Sequence, residues 1–391
     1  MRHRVRAPDA RDQFAFDQVQ KMSVKQNNLF AIPAAVAATL AGFSANVHAQ
    51  SSVTLYGELD TGLAFVSNVG GNAQYKATAG LIDGSYWGLQ GSEDLGGGNT
   101  AIFQLEHGFS VKTGEALNDH PYHVGLGNEA WGTVTFGHQY DSIHDYLAPF
   151  TLTGGAGGTA FAHPFDNDNA NNSYLARNAV KYASPSFGGL SFGGMYAFSN
   201  GAGQFANNRA YSVGANYQSG PFSAGAAYLR VTGRGDTANG AYDTINLPGS
   251  NRSEFDATVQ TQNTYGMGAS YAFGDFTLGA AWSRSTYSGV ADADSGSTVP
   301  SVGFNNYEFN GVYQLRPMVS LAGMYTYTKG AGQHWHQGGL QVVYLLSKRT
   351  DAYVETIFQR ASTDAPAVIN SAEPASGRNQ LLVGAGVRHR F

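Results

Sequence analysis

The sequence predicts an all-β fold: a 16-stranded antiparallel transmembrane β-barrel. Three observations predict it. Apolar and polar residues alternate with period two along most of the chain. Short polar turns alternate with long Gly-, Asn- and Asp-rich connections. Charged residues make up only 13% of 391 residues, with 51 Gly and 45 Tyr plus Phe, whereas soluble domains carry about 25% charge.

The amino-terminal 49 residues read as processing signal. Residues 1–21 are polar and Arg-rich and read as an upstream extension, with Met22 the initiator. Lys25 then precedes an apolar run from Leu29 to Phe43 and the small-x-small triplet Val47-His48-Ala49, so 22–49 has the order of a secretory signal peptide. Pro33 and the lack of a positive stop-transfer flank argue against a helical anchor. Cleavage after Ala49 leaves 50–391 as the barrel. The leader holds six bases and three acids, so its loss takes the formal charge from −5 to −8. No later run reaches the ~18 apolar residues that a membrane helix needs.

The strands follow in order. In the first, Val53, Leu55 and Leu59 share one face while Thr54, Glu58 and Asp60 share the other. In the last, Leu381, Val383, Ala385, Val387, His389 and Phe391 oppose Gly384, Gly386, Arg388 and Arg390. Sixteen such segments are expected: 53–66, 86–93, 100–111, 122–128, 133–140, 178–184, 190–198, 210–218, 222–232, 262–273, 276–287, 305–315, 319–328, 334–345, 350–360 and 380–391. An even number suits a bacterial barrel, with short turns inside the cell envelope and long loops outside. Aromatics such as Tyr56, Trp87, Phe222, Phe273, Tyr287 and Tyr325 fall near strand ends, as an interfacial girdle requires.

Other chemistries find little support. Cys is absent, which excludes disulfide scaffolds and thiolate metal sites. No basic excess marks a nucleic-acid partner. His334 and His336 share a strand face but lack acidic or thiol companions, and His120 and His123 read alike: rim residues, with no metal. No local catalytic signature or phosphate-binding loop appears, so neither an enzyme nor a cofactor is expected.

Several segments resemble the general diffusion porins of Gram-negative β-proteobacteria, Burkholderiales type. They are Tyr86-Trp87-Gly88-Leu89-Gln90-Gly91 with Ser92-Glu93-Asp94-Leu95-Gly96, Ala101-Ile102-Phe103-Gln104-Leu105-Glu106, Trp131-Gly132-Thr133-Val134-Thr135-Phe136-Gly137, and Arg177-Asn178-Ala179-Val180-Lys181-Tyr182. The terminal Phe391 resembles the signal read by the barrel-assembly machinery. The resemblance implies an outer-membrane homotrimer in lipid and lipopolysaccharide. It also implies passive diffusion of ions and small hydrophilic solutes through a water-filled channel, with a constriction loop folded into the lumen. The alternatives are a substrate-specific channel, a non-conducting structural or adhesive barrel and an outer-membrane hydrolase.

The constriction loop would run from Asp141 to about Leu175, with Asp166 and Asp168 on its acidic side. The family places an Arg ladder opposite. Here Tyr86 and His120 stand at two of those positions and His138 near a third, while Arg177 keeps the pattern and Lys181 follows on the same face. The weakened basic wall implies a weakly selective or cation-leaning pore. Tyr86 alternatively implies stacking with sugars or aromatic solutes. Glu58, Asp60, Glu106 and Glu355 fall on inward faces and tune the wall. Small residues at Ala224, Gly225 and Ala226 are compatible with a subunit contact.

Overall fold

The computed structural model describes residues 52–117, 120–233, 241, 257–292 and 298–391. The expected extension (1–21) and signal peptide (22–49) lie outside the described residues.

Sixteen long strands form one antiparallel sheet. They are β1 (Ser52–Val69), β2 (Ser85–Gly96), β3 (Asn99–Phe109), β4 (Tyr122–Asn128), β5 (Gly132–Gln139), β6 (Ala176–Ala183), β7 (Leu190–Ala197) and β8 (Arg209–Ser219). Then come β9 (Phe222–Thr232), β10 (Thr261–Phe273), β11 (Phe276–Ser288), β12 (Val302–Arg316), β13 (Val319–Gly330), β14 (Gln333–Leu345), β15 (Thr350–Ala361) and β16 (Asn379–Arg390). Every expected strand is present, with ends displaced by at most three residues. The sheet closes because β1 pairs with β16, from Glu58 opposite Arg390 to Val66 opposite Leu382. On its other edge β1 pairs with β2 over Ser52–Glu58 and with the returning segment Asn72–Thr78 over its outer part.

Alternation turns the barrel inside out relative to a soluble core. Val53, Leu55, Leu63, Phe309 and Leu340 are exposed on the outer face, while Asp60, Glu308, Asp351 and Glu355 are buried on the inner one. An apolar exterior around a polar interior is stable when hydrocarbon, not water, surrounds it. Trp87, Phe222, Phe273 and Tyr325 lie on the exposed outer face, as a girdle requires. Tyr56 and Tyr287 do not. Tyr56 donates its hydroxyl to Glu106 at 2.7 Å, and buried Tyr287 donates to the Asn167 carbonyl at 2.5 Å.

The turns explain the sidedness. At one end, two-residue links at 97–98, 220–221, 274–275 and 317–318 join hairpins. Gly97, Gly98, Gly220 and Gly274 there adopt positive φ, which a side chain resists. The other end carries the long connections, with one departure from the expected alternation. There β13 and β14 are joined by only Ala331 and Gly332, both at positive φ.

Candidate functional site

The connection after β5 does not extend outward. Residues 140–175 turn back into the barrel as α1 (Ser142–Tyr146) and three 3-10 turns at 148–150, 159–161 and 164–166. Asp141 starts α1 by accepting the Ile143 N–H at 2.6 Å. Ile143, Leu147, Leu152 and Phe161 are then fully buried against the inner wall.

Glycine on the inward face makes the seat. A Cβ on Gly214 would stand 2.4 Å from the Tyr146 ring, and one on Gly268 would stand 2.4 Å from Phe150 Cβ. On Gly339 it would meet the Phe161 ring at 2.6 Å. Gly268→Val is therefore expected to push the loop toward the channel axis, at an overpacking cost of about 1–3 kcal/mol. Single-channel current should fall; an unchanged current would mean the seat tolerates a side chain.

Two polar latches fix the loop. At its root, Lys181 Nζ lies 2.5 Å from Asp145 Oδ2 and donates to the Tyr140 carbonyl at 3.0 Å. The His144 ring stacks on Tyr140 at 4.0 Å. At its tip, the buried His163 ring bridges two acids: Nδ1 lies 2.7 Å from Asp168 Oδ2, and Nε2 lies 3.0 Å from Glu308 Oε2 on β12. Glu308 also accepts the Leu152 N–H at 2.6 Å, while Asp168 accepts from Ser283 Oγ and, at 3.3 Å, from Asn306.

Charge follows this geometry. Burial opposes ionisation of His163, yet Asp168 and Glu308 raise its pKa to about 10. Burial also opposes ionisation of Asp168, but the same imidazolium holds it below the usual carboxylate range. Lys181 does the same for Asp145 against its burial. Asp166 has no cation of this kind, and burial together with nearby Asp168 lifts it to about 7.

The structure places the sequence-predicted residues as follows. Asp166 and Asp168 stand close in the loop, but both are buried. Asp166 accepts the N–H groups of Asn171 and Ser173 and the Ser173 hydroxyl, which bends the loop through left-handed Asp166, Asn169 and Asn172. Asp168 locks loop to wall. Both expected acids of the open passage thus turn inward, because donors surround them. Tyr86 and His120 come together on the opposite wall, with rings 4.7 Å apart, and His120 Nδ1 lies 3.0 Å from Glu106 Oε2. Lys181 faces Asp145 and not the Asp166–Asp168 pair. Arg177 sits where the β5–β6 register slips beside left-handed Asn178, and its N–H bonds the Ala241 carbonyl at 3.0 Å. His138 faces outward, stacked on Tyr122.

Between loop and wall lies a cavity of about 390 Å³. His120 and Asp83 line it from outside the loop; Tyr140, Gly154, Asn171, Asn172 and Ser173 line it from the loop. Such a lining passes or holds small polar solutes by hydrogen bonding. Among the described residues no cluster of three metal-ligating side chains occurs.

Sequence reasoning missed His163 and Glu308, whose partners are far apart in the chain. It placed Arg388 and Arg390 opposite the apolar face of the last strand but gave them no role. Arg388 lies 3.1 Å from Asp351, and Arg390 lies 2.7 Å from Asp351 and 3.2 Å from Glu58. This four-residue network reinforces the β1–β16 seam, and its signal was the same period-two parity.

The comparisons agree with this architecture. Residues 34–364 match the family model of the Gram-negative porins. An outer membrane porin protein of Bordetella pertussis is 29% identical, over 91% of this chain and 98% of its own. Outer membrane porin protein 32 of Delftia acidovorans is 27% identical, over 88% and 95%. Among solved structures, an anion-selective porin from Comamonas acidovorans has a TM-score of 0.72 at 24% identity, covering 88% of this chain and 100% of that one. An outer membrane protein of Vibrio cholerae, solved in a trimer form, has a TM-score of 0.60 at 16% identity, over 87% and 99%. The chain therefore belongs to the Gram-negative porin family: it is an outer-membrane β-barrel, not an enzyme, that forms a water-filled channel for passive diffusion of ions and small hydrophilic solutes.

Proposed function

We propose that this porin is a weakly selective, cation-leaning channel whose eyelet lies between the inward loop and the wall carrying Tyr86 and His120. One observation carries the reading. Of the inward bases, Lys181, Arg388 and Arg390 are tied to carboxylates and Lys76 donates to the Ser371 carbonyl, whereas Asp83, which lines the eyelet cavity, has no base within ion-pair distance among the described residues. An eyelet whose nearby bases are mostly paired and whose Asp83 is not draws cations modestly. The anion preference in the name of the Comamonas relative belongs to that protein. In planar bilayers under a KCl gradient at neutral pH, the reversal potential should show a small cation preference. A clear anion preference would overturn the reading.

A second reading, a solute-specific channel, is favoured by the ring cluster of Tyr86, His120 and Tyr56 at the eyelet wall. Saturable block of the current by one sugar or aromatic solute would distinguish it.

The channel works as a homotrimer embedded in lipid and lipopolysaccharide. The fold shared with a protein solved as a trimer supports the assembly. Arg177 contributes positive charge at the outer mouth of β6, above Lys181. Phe391 presents the terminal strand to the barrel-assembly machinery, with Met22 the start and Ala49 the cleavage point of the exported precursor.

A further inference from the structure

A second segment enters the lumen besides the loop. After the returning segment Asn72–Thr78, residues 79–84 fold inward before β2 begins. They are pinned from the barrel wall. Asp60 accepts the Ile82 and Asp83 N–H groups at 3.1 and 3.0 Å. Tyr353 on β15 donates to Asp60 at 2.6 Å and accepts the Leu81 N–H at 3.3 Å. Leu81 and Ile82 are buried with Ala64 and Tyr353. Leu81 seats on glycine as the loop does, since a Cβ on Gly384 would strike it. Gly80 closes the turn at positive φ, where a Cβ would strike the Asp83 carbonyl.

This segment meets the loop edge to edge. The Thr159 N–H donates to the Leu81 carbonyl at 3.0 Å, and a Cβ on Gly158 would stand 2.7 Å from the same oxygen. The cavity of about 390 Å³ opens beside this junction, with Gly80, Ile82 and Asp83 on one side and Thr153, Asn171 and Asn172 on the other. Two acceptors in its lining have capacity to spare. Asp83 spends Oδ1 on the neighbouring Gly84 N–H at 3.0 Å, and its Oδ2 has no hydrogen bond among the described residues. Arg388, whose field reaches Asp83, is held by Asp351 and Glu58. Asn172 stands in the left-handed region, and its buried Oδ1 has no hydrogen-bond partner among the described residues. A buried acceptor left unpaired is costly, so a donor brought by a solute is favoured there.

We propose that residues 79–84 are a second jaw of the eyelet, and that the cavity between the jaws is a subsite for small hydroxylated amines, the ammonium bonding Asp83 and Asn172. The assignment rests on the cation-leaning eyelet and names the class of solute it retains. A primary ammonium has three donors, enough to serve both acceptors, and its bond to a carboxylate is charge-assisted. Asn171 and Ser173 beside them offer partners for hydroxyl groups. The volume lies at the small end of ligand sites, which suits a solute the size of one sugar ring. An anionic solute fits less well: among the described residues the lining holds no Lys or Arg, and His120 is engaged by Glu106.

The test records the full barrel in planar bilayers, in symmetric KCl at slightly acidic pH, with glucosamine, glucose and N-acetylglucosamine added in turn. The three share a ring and differ in carrying an ammonium, a hydroxyl or a neutral amide. Glucosamine should interrupt the current saturably, at a concentration about tenfold below either neutral sugar. Asp83→Asn keeps an acceptor for the Gly84 N–H and should abolish the difference, whereas Asp83→Glu should keep most of it. Equal effects of the three sugars on the wild type, which need no variant, would overturn the proposal. So would an Asp83→Asn channel that still prefers glucosamine. Reversal potentials from the same channels separate the subsite from the selectivity reading. Cation preference without glucosamine block overturns the subsite alone. Anion preference with an Asp83-dependent block overturns the selectivity reading and supports the subsite.

Discussion

His163→Ala is expected to free the inward loop and raise the single-channel conductance, with a noisier open state. The side chain is the only bridge the loop tip offers between Asp168 and Glu308 among the described residues. Its loss leaves two buried carboxylates near one another with no cation. Removing one partner from a buried charge network costs about 3–5 kcal/mol. The loop relieves that cost by leaving the wall or by taking up protons, and both weaken its anchorage. The melting temperature should fall as well, while the barrel strands persist, because their ladders do not involve His163. Unchanged conductance and noise would show that the remaining contacts, among them the glycine seat, the Lys181–Asp145 pair and the bonds from Ser283 and Asn306 to Asp168, hold the loop without His163.

The same latch sets a pH window. The folded pKa of His163, about 10, exceeds its ordinary 6.5. Its stabilising contribution is therefore complete below 6.5 and is lost as pH rises through about 10. Asp168 is depressed, so its contribution holds above the ordinary carboxylate range and fades as pH falls below that range. The His163–Asp168 latch is thus strongest across neutral pH and weakens at both extremes.

Phe391→Asp is expected to reduce outer-membrane levels of the protein severalfold. The Phe391 N–H donates to the Gly57 carbonyl at 3.1 Å, and a Cβ on Gly57 would stand 2.5 Å from the Phe391 ring. The terminal aromatic therefore lies across the first strand at the seam. A charge at the barrel edge costs only about 0–1 kcal/mol thermodynamically, so the purified variant should still fold in detergent. A loss in cells with folding intact in vitro places the effect at assembly. Normal cellular levels would remove Phe391 from that role.

The barrel was legible because each strand meets two different solvents, and alternation records that directly. Val53, Leu55 and Leu59 fall on one face of the first strand, and Glu58 and Asp60 on the other. The length and Gly-rich character of 141–175 marked a long connection, and the family resemblance implied that it folds into the lumen. The bonding within it was not legible. Asp168 meets Ser283 and Asn306, and His163 meets Glu308, all more than 100 residues downstream. Only closure of the cylinder brings them together. An acid in a polar loop reads as solvent-facing until its donors are known, and so Asp166 and Asp168 were expected at the open passage. Strand parity alone would have turned His138 outward, since it shares a face with exposed Phe136. The glycine seat was hidden for another reason. Gly214 and Gly268 look like ordinary strand glycines until the loop lies over them.

The central claim is that residues 140–175 border the water path. The absence of native Cys makes a single thiol a clean probe. Ser173 is exposed and lines the eyelet cavity, so Ser173→Cys can be challenged with a bulky cationic thiol reagent during bilayer recording. Stepwise loss of current, reversed by reductant, is the predicted result. Full current after proven modification of the thiol would contradict the account.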